Sequence, residues 1–260
     1  MSINSATFAP DMLEGKTAFM TGGTSGIGLG IAKALAAHGA RVAVMGRDAA
    51  KAANAAAEIG DGALGLAADV RDYAALDGVM GQAQDQMGPF DIVVACAAGN
   101  FLAPAAALSA NAFKAVVDID LLGSFNCLRA AYGRVRKPGA SMIAVLAGQA
   151  TRAMPMQAHA CAAKAGVAML VKCLAMEWGP EGIRVNGLTP GPVEDTEGFQ
   201  RLMPPGMEEK FRNTLPLRRA QRMDEITAGA LFLCSPAASY VSGTAIKCEG
   251  ATDLAPFPFM

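Results

Sequence analysis

A short apolar run from Lys16 to Met20 feeds directly into Thr21-Gly22-Gly23-Thr24-Ser25-Gly26-Ile27-Gly28, and a helical pattern starts at once. So short a run reads as a buried parallel strand. Residues 27 to 38 place Ile27, Ile31, Ala34 and Leu35 at helical spacing, giving an amphipathic helix whose first N–H groups lie beside the glycine turn. A helix start of this kind attracts a pyrophosphate. Glycine is needed at Gly22 and Gly26 for turn dihedrals and close approach of backbone to phosphate, and at Gly28 for tight packing of helix on strand. A glycine triplet alone is equally consistent with an ordinary turn; the order strand, triplet, helix, strand restricts the chain to an open parallel α/β sheet and nominates a dinucleotide.

The second strand, Arg41 to Met45, ends at Gly46-Arg47. An acidic residue there accepts from an adenosine ribose hydroxyl, whereas arginine pairs with the 2′-phosphate of NADP. Arg47 therefore selects NADPH, unless it is a solvated surface charge and Asp48 reaches the ribose instead. Asp69, at the end of the apolar run Leu64 to Ala68, fits an adenine-edge contact or a helix cap.

Further along, the expected elements are a strand at 91–95, a long helix at about 111–136, a strand at 141–146, a helix at about 158–178 and a strand at 183–188. This alternation is one α/β domain, a Rossmann-type doubly wound parallel sheet. The stretch 189–222 is irregular, with five prolines and apolar Phe199, Leu202, Met203, Met207 and Phe211, as in a lid over an apolar substrate or a long loop folded onto the surface. Its 260 residues, 52% hydrophobic and 17% charged, suffice for one large core. A net charge of −1 gives no case for nucleic acid or an anionic membrane, and no apolar run approaches the ~20 residues of a membrane span. Six cysteines without CxxC spacing and two distant histidines, His38 and His159, argue for reduced thiols and against a metal site. Expected location is the cytoplasm.

Several strings together, Thr21 to Gly28, Cys96-Ala97-Ala98-Gly99, Lys164, and Arg184-Val185-Asn186-Gly187-Leu188-Thr189-Pro190-Gly191, resemble the short-chain dehydrogenase/reductase family over about residues 13–250. That resemblance implies cofactor contacts at Gly22, Thr24, Ser25, Gly26, Ile27, Gly28, Arg47, Asp69, Val70, Ala97, Gly99, Lys164, Pro190, Gly191 and Val193. The chain departs from the family's usual catalytic tetrad at three positions. Ala147 stands where a serine is usual, Ala160 where a tyrosine is usual, and Asp120 where an asparagine is usual; only Lys164 remains. Tyrosine seven residues before the lysine, the enoyl-carrier-protein reductase spacing, is replaced by Gln157.

The same departures characterise the 2,4-dienoyl-CoA reductase branch. The chain resembles its peroxisomal type through Cys96 to Leu102, Leu108 to Lys114, Asp118-Ile119-Asp120, Gln157 to Ala160 and Ala175 to Pro180. Hydride addition at the far end of a conjugated thioester sends charge to a dienolate, which is quenched by a proton on carbon, so a fixed phenol is unnecessary and a held water suffices. The resemblance implies NADPH-dependent reduction to 3-enoyl-CoA in the degradation of unsaturated fatty acids. Asp120 and Lys164 are then the catalytic pair. Substrate contacts carried over from the branch fall on Arg47, Arg71, Phe101, Ser109, Asn111 and Arg201, with acyl-CoA as substrate and a homotetramer as assembly. Two other readings stay open at this level: a carbonyl or 3-oxoacyl reductase using His159 or Asp120 as acid, and a non-catalytic NADP-binding subunit.

Overall fold

Seven short, largely apolar runs become strands: β1 Thr17–Thr21, β2 Arg41–Gly46, β3 Leu64–Ala67, β4 Ile92–Ala95, β5 Ser141–Val145, β6 Arg184–Pro190 and β7 Ala245–Cys248. The structure, a computed structural model, describes residues 7–194, 196–202 and 206–255, without the side chains of 201, 202 and 208. All strands pair in parallel, in the order β3-β2-β1-β4-β5-β6-β7. The order reverses between β1 and β4, which opens a crevice beyond their C-terminal ends.

Because side chains alternate along a strand, one register row feeds each face. Phe19, Val93 and Met142 lie side by side and enter one core layer; Met20, Val94 and Ile143, the next row, enter the other. Helices close both layers: α1 Gly26–Ala37, α2 Ala49–Ile59, α3 Tyr73–Met87, α4 Ala110–Val117, α5 Gly123–Ala131, α6 Ala158–Trp178, α7 Glu197–Leu202, α8 Glu208–Thr214 and α9 Met223–Cys234. On the first face sit Leu76 and Met80 of α3, Leu128 of α5 and Val171 of α6; on the second, Ile31 and Leu35 of α1 and Leu231 of α9.

Three expectations need correction. The helix expected over 111–136 is α4, a π-turn at Asp118–Leu122, then α5, and it ends at Ala131. It stops there because the chain straightens to pair Val135 with Phe90 in front of β4. The irregular stretch 189–222 holds α7 and α8 and is closed at its base by a bridge between Val193 and Gln221. Third, Ala158–Glu181 is long and apolar enough to cross a membrane by composition, yet α6 packs along β6 and buries Lys164 and His159 toward the sheet.

Phe19 is fully buried at the centre of the first layer. Phe19→Ala is expected to lower stability by about 3–5 kcal/mol, read from the midpoint of urea unfolding; a shift under 1 kcal/mol would mean the layer refills the cavity.

Candidate active site

The strand ends deliver five short segments to the crevice. Gly22 has φ +66°, and a Cβ on it would lie 2.6 Å from the backbone nitrogen of Ala97, so the turns after β1 and β4 touch through glycine alone. At Gly28 a Cβ would sit 2.0 Å from the carbonyl oxygen of Gly22, which lets α1 start directly over the turn. Side chains of Asp48, Asp72 and Ser109 cap α2, α3 and α4, but Ser25 makes no such bond at the start of α1. That leaves the first N–H groups of a 12-residue helix open beside Thr24, Ser25, Gly26 and Ile27. Around the rim, Thr24 packs against Gly46, Val70 is held by a 2.8 Å bond from Asn126 Nδ2 to its carbonyl, and Gly191 donates to Cys248 O at 3.1 Å between Pro190 and Val193. This glycine cradle fits a dinucleotide.

Arg47 is exposed at the end of β2, with no hydrogen-bond partner among the described residues. Asp48 accepts from the N–H of Lys51 at 3.0 Å through Oδ1 and so caps α2. Asp69 is not a helix cap, since Asp72 fills that position by accepting from Ala75. Instead Arg71 grips Asp69 through Nε at 3.0 Å and Nη2 at 2.6 Å. Those bonds to the guanidinium hold the Asp69 carboxyl below its usual range.

Asp120 lies in the π-turn between α4 and α5, where the extra residue per turn re-aims side chains inward. Only 1% exposed, it accepts from the N–H of Gly99 at 2.7 Å through Oδ1, and its Oδ2 lies 3.4 Å from Lys164 Nζ. Lys164, also buried, donates to Val145 O at 3.0 Å. The two expected catalytic residues therefore meet, although 44 residues of sequence separate them (164 − 120). A buried charge needs such partners. Beside the pair, burial pushes the Cys96 thiol up to about 11, which makes it a poor nucleophile.

No tyrosine approaches Lys164. Tyr132 bonds Glu181 and packs tilted against Trp178, ring centroids 4.9 Å apart, at the far end of α6, about 21 Å away along the helix axis. Tyr240 is fully exposed and Tyr73 opens α3. His159 has its Nε2 3.1 Å from Phe101 O, and its ring stacks on Phe101 with centroids 4.4 Å apart. Because a carbonyl only accepts, Nε2 carries the hydrogen and His159 is tied as a prop for Phe101.

Phe101 is thereby fixed at the crevice edge, beyond Gly99. Ser109 and Ala158 line a shallow cleft of ≈ 520 Å³ with Ala105, Leu108, Ala110 and Phe113. Asn111 is exposed in the first turn of α4. Arg201 lies on α7, but its side chain is outside the described residues. Thr196, just before α7, comes within 3.9 Å of a Cβ built on Gly26, so the base of this segment sits over the glycine turn. Phe199 and Phe211 pack edge to face at 5.8 Å and join α7 to α8. Sequence reasoning passed over Asn100 and Gln149, which bond Gln157; their contacts join loops far apart in the chain.

The family described as Enoyl-(Acyl carrier protein) reductase matches residues 22–251. The chain is a member of the short-chain dehydrogenase/reductase family. It is 43% identical over 251 residues to the peroxisomal 2,4-dienoyl-CoA reductase [(3E)-enoyl-CoA-producing] of Rattus norvegicus, covering 94% of this chain and 86% of that one. To a Bacillus subtilis (strain 168) protein named as a probable 2,4-dienoyl-CoA reductase [(2E)-enoyl-CoA-producing] it is 37% identical, over 95% and 100% of the two chains. Among solved structures, a Bacillus anthracis short chain dehydrogenase superposes with a TM-score of 0.86 at 36% identity, over 95% of this chain and 100% of that chain. Membership in this family makes the glycine cradle a nicotinamide-dinucleotide site.

Removing one partner of a buried pair strands the other. Asp120→Ala is expected to cost about 3–5 kcal/mol, and adding Lys164→Met should recover part of that loss. Urea unfolding of both variants reads this directly. Equal stability of Asp120→Ala and the parent would show that the carboxylate is not an ionic partner.

Proposed function

We propose that the protein is an NADPH-dependent 2,4-dienoyl-CoA reductase whose proton donor is a water held by Asp120 and Lys164. The observation that carries this reading is a carboxylate–ammonium pair in a site that lacks the family's two usual hydroxyls: Ala147 and Ala160 stand at the serine and tyrosine positions, and every tyrosine is elsewhere. Reducing a ketone needs an acid held against the developing alkoxide, and the serine and tyrosine that usually hold it are Ala147 and Ala160 here. A conjugated thioester has no such need.

Gly22 to Gly28 and the start of α1 would hold the pyrophosphate, Arg47 the 2′-phosphate, Asp69 and Val70 the adenine edge, and Ala97, Gly99, Pro190, Gly191 and Val193 the nicotinamide half. When bound, the cofactor supplies a hydride to the δ carbon of the dienoyl chain. The diene electrons then shift toward the thioester oxygen, and a proton at the α carbon completes 3-enoyl-CoA, with NADPH oxidised to NADP and one proton consumed. Lys164 has three N–H donors, of which Val145 O takes one and Asp120 faces a second. The third is free to bond the ribose or the water that delivers the proton. Asp120 orients that water and relays a proton to it from solvent.

Phe101 would pack on the acyl or pantetheine portion, with Ser109 and Asn111 beside the cleft and Arg47, Arg71 and Arg201 serving the CoA phosphates. The 189–222 segment would act as the lid. Names of the rat and B. subtilis relatives agree on the substrate and differ in the position of the product double bond. Protonation at the α carbon is our choice between them, following the rat relative, which at 43% identity is more similar than the B. subtilis one at 37%. Leu122, Phe125, Met169 and Met176 on the π-turn, α5 and α6 are apolar and exposed, as suits elements that meet in a homotetramer, and six free cysteines suit a reducing cytoplasm.

Purified protein should oxidise NADPH with 2,4-hexadienoyl-CoA and not with acetoacetyl-CoA; activity with the ketone alone would reject the reading. Lys164→Ala and Asp120→Ala should each lower kcat by about 10²–10⁴-fold, whereas parental turnover in the Asp120 variant would remove it from the mechanism. For cofactor choice, Arg47→Ala should raise the Kd for NADPH about 10–100-fold and leave NADH nearly unchanged. Equal losses for both cofactors would show that Arg47 does not meet the 2′-phosphate.

A further inference from the structure

An amide network beside the pocket has its polarity fixed by the backbone. The N–H of Phe101 can only donate, and it donates to Asn100 Oδ1 at 2.8 Å. That assigns the other end of Asn100 as nitrogen, which donates to Gln157 Oε1 at 2.7 Å. Gln149 Nε2 donates to the same oxygen at 2.9 Å. With Oε1 holding two donors, the Gln157 amide cannot be reversed without setting N–H groups against N–H groups. Its donor end is left over. Among the described residues the one partner of Nε2 is the thioether of Met154 at 3.8 Å, a weak acceptor.

The location gives that donor a use. Gln157 is 5% exposed and sits at the start of α6, on one face with Ala160 and Lys164, three and seven residues on. Met154, against which Nε2 rests, packs over the turn after β5, since a Cβ on Gly148 would lie 3.2 Å from its Cε. The donor therefore lies where the turn that follows Ala147 packs on the start of α6, which carries Ala160, and neither alanine methyl offers it a hydrogen bond. The strap holding Asn100 is tied down on both sides, through Gly99 to Asp120 and through Ala103 N to Met156 O at 2.9 Å. Such a donor, pre-aimed and paid for by the fold, is suited to an oxygen that gains charge during reaction.

We propose that Gln157 is a catalytic residue of this site: its Nε2 donates to the thioester carbonyl oxygen of the acyl-CoA, displacing the Met154 sulfur, and stabilises the charge that oxygen acquires as the diene is reduced. Asn100 and Gln149 are positioning residues that hold the amide in the donating orientation. This inference rests on the dienoyl-CoA reading and adds to it the group that takes the oxygen, while Asp120 and Lys164 serve the carbon.

Gln157→Glu tests it with a single-atom change, because Oε1 still accepts from Asn100 and Gln149 while the donor becomes an acceptor. At neutral pH kcat with 2,4-hexadienoyl-CoA should fall about 10²-fold, with the Kd for NADPH, read by fluorescence, unchanged. The variant should regain activity as pH falls and its carboxyl becomes a donor, a pH profile that a purely structural role would not produce. A kcat within threefold of the parent, or a loss without recovery at low pH, would overturn the assignment. Should this variant not fold, Asn100→Asp gives a second test, since a carboxylate there still accepts from Phe101 but repels Gln157 Oε1 and turns the amide around. The expected result is again a drop in kcat with NADPH affinity retained, and parental kcat would overturn the proposal. Parent protein without NADPH oxidation by the dienoyl substrate would instead refute the underlying reading.

Discussion

The site depends on one buried carboxylate. Asp120 holds the backbone of Gly99 with one oxygen and faces the Lys164 ammonium with the other, so it joins the turn after β4 to α6 across the crevice. In water such a pair is worth little; nearly free of solvent, each member would be costly alone, and the pair becomes a constraint on where both elements sit. The π-turn makes the constraint possible. By inserting one residue between α4 and α5, it rotates Asp120 inward while Ile119 and Leu121 still pack against the first core layer.

From that constraint follows a division of labour. Glycines at the ends of β1 and in α1 make a cradle for phosphate, and the cradle has no chemistry of its own. Chemistry enters where the strap after β4 and the start of α6 meet, and there the two hydroxyls of an alcohol-forming site are replaced by methyl groups, a carboxylate stands for an amide, the ammonium is kept and an amide network lies alongside. Such a set can orient water and bind a carbonyl, but it lacks a phenol to protonate an alkoxide. Charge delocalised over a thioester and a diene is the substrate electronic structure that such a set accommodates.

Much of this was legible in the sequence. The β1 run, the glycine turn and the spacing of Ile31 and Leu35 specify strand, turn and helix by local rules, and they fold as expected. Asp120 and Lys164 could be paired in advance because a carboxylate at an inward helix position needs a counter-charge. Features that depend on long-range contact were not legible. A π-turn leaves the apolar pattern of a helix nearly unchanged, so α4 and α5 read as one element; the end at Ala131 is set by Phe90, over 40 residues earlier (131 − 90 = 41). The grip of Arg71 on Asp69, and the bond from the Lys51 N–H to Asp48, give these carboxylates partners within the chain that local sequence did not specify. Gln157 read only as a missing tyrosine, because its partners Asn100 and Gln149 come from separate loops.

The central claim is that electrons enter a conjugated carbon chain and solvent supplies the proton through Asp120 and Lys164. Product formed from 2,4-hexadienoyl-CoA and unlabelled NADPH in deuterium oxide, analysed by NMR, tests it most directly. The account predicts 3-hexenoyl-CoA carrying one deuterium at the α carbon and none at the δ carbon. A 2-hexenoyl product labelled at the γ carbon, or deuterium at the δ carbon, would contradict it.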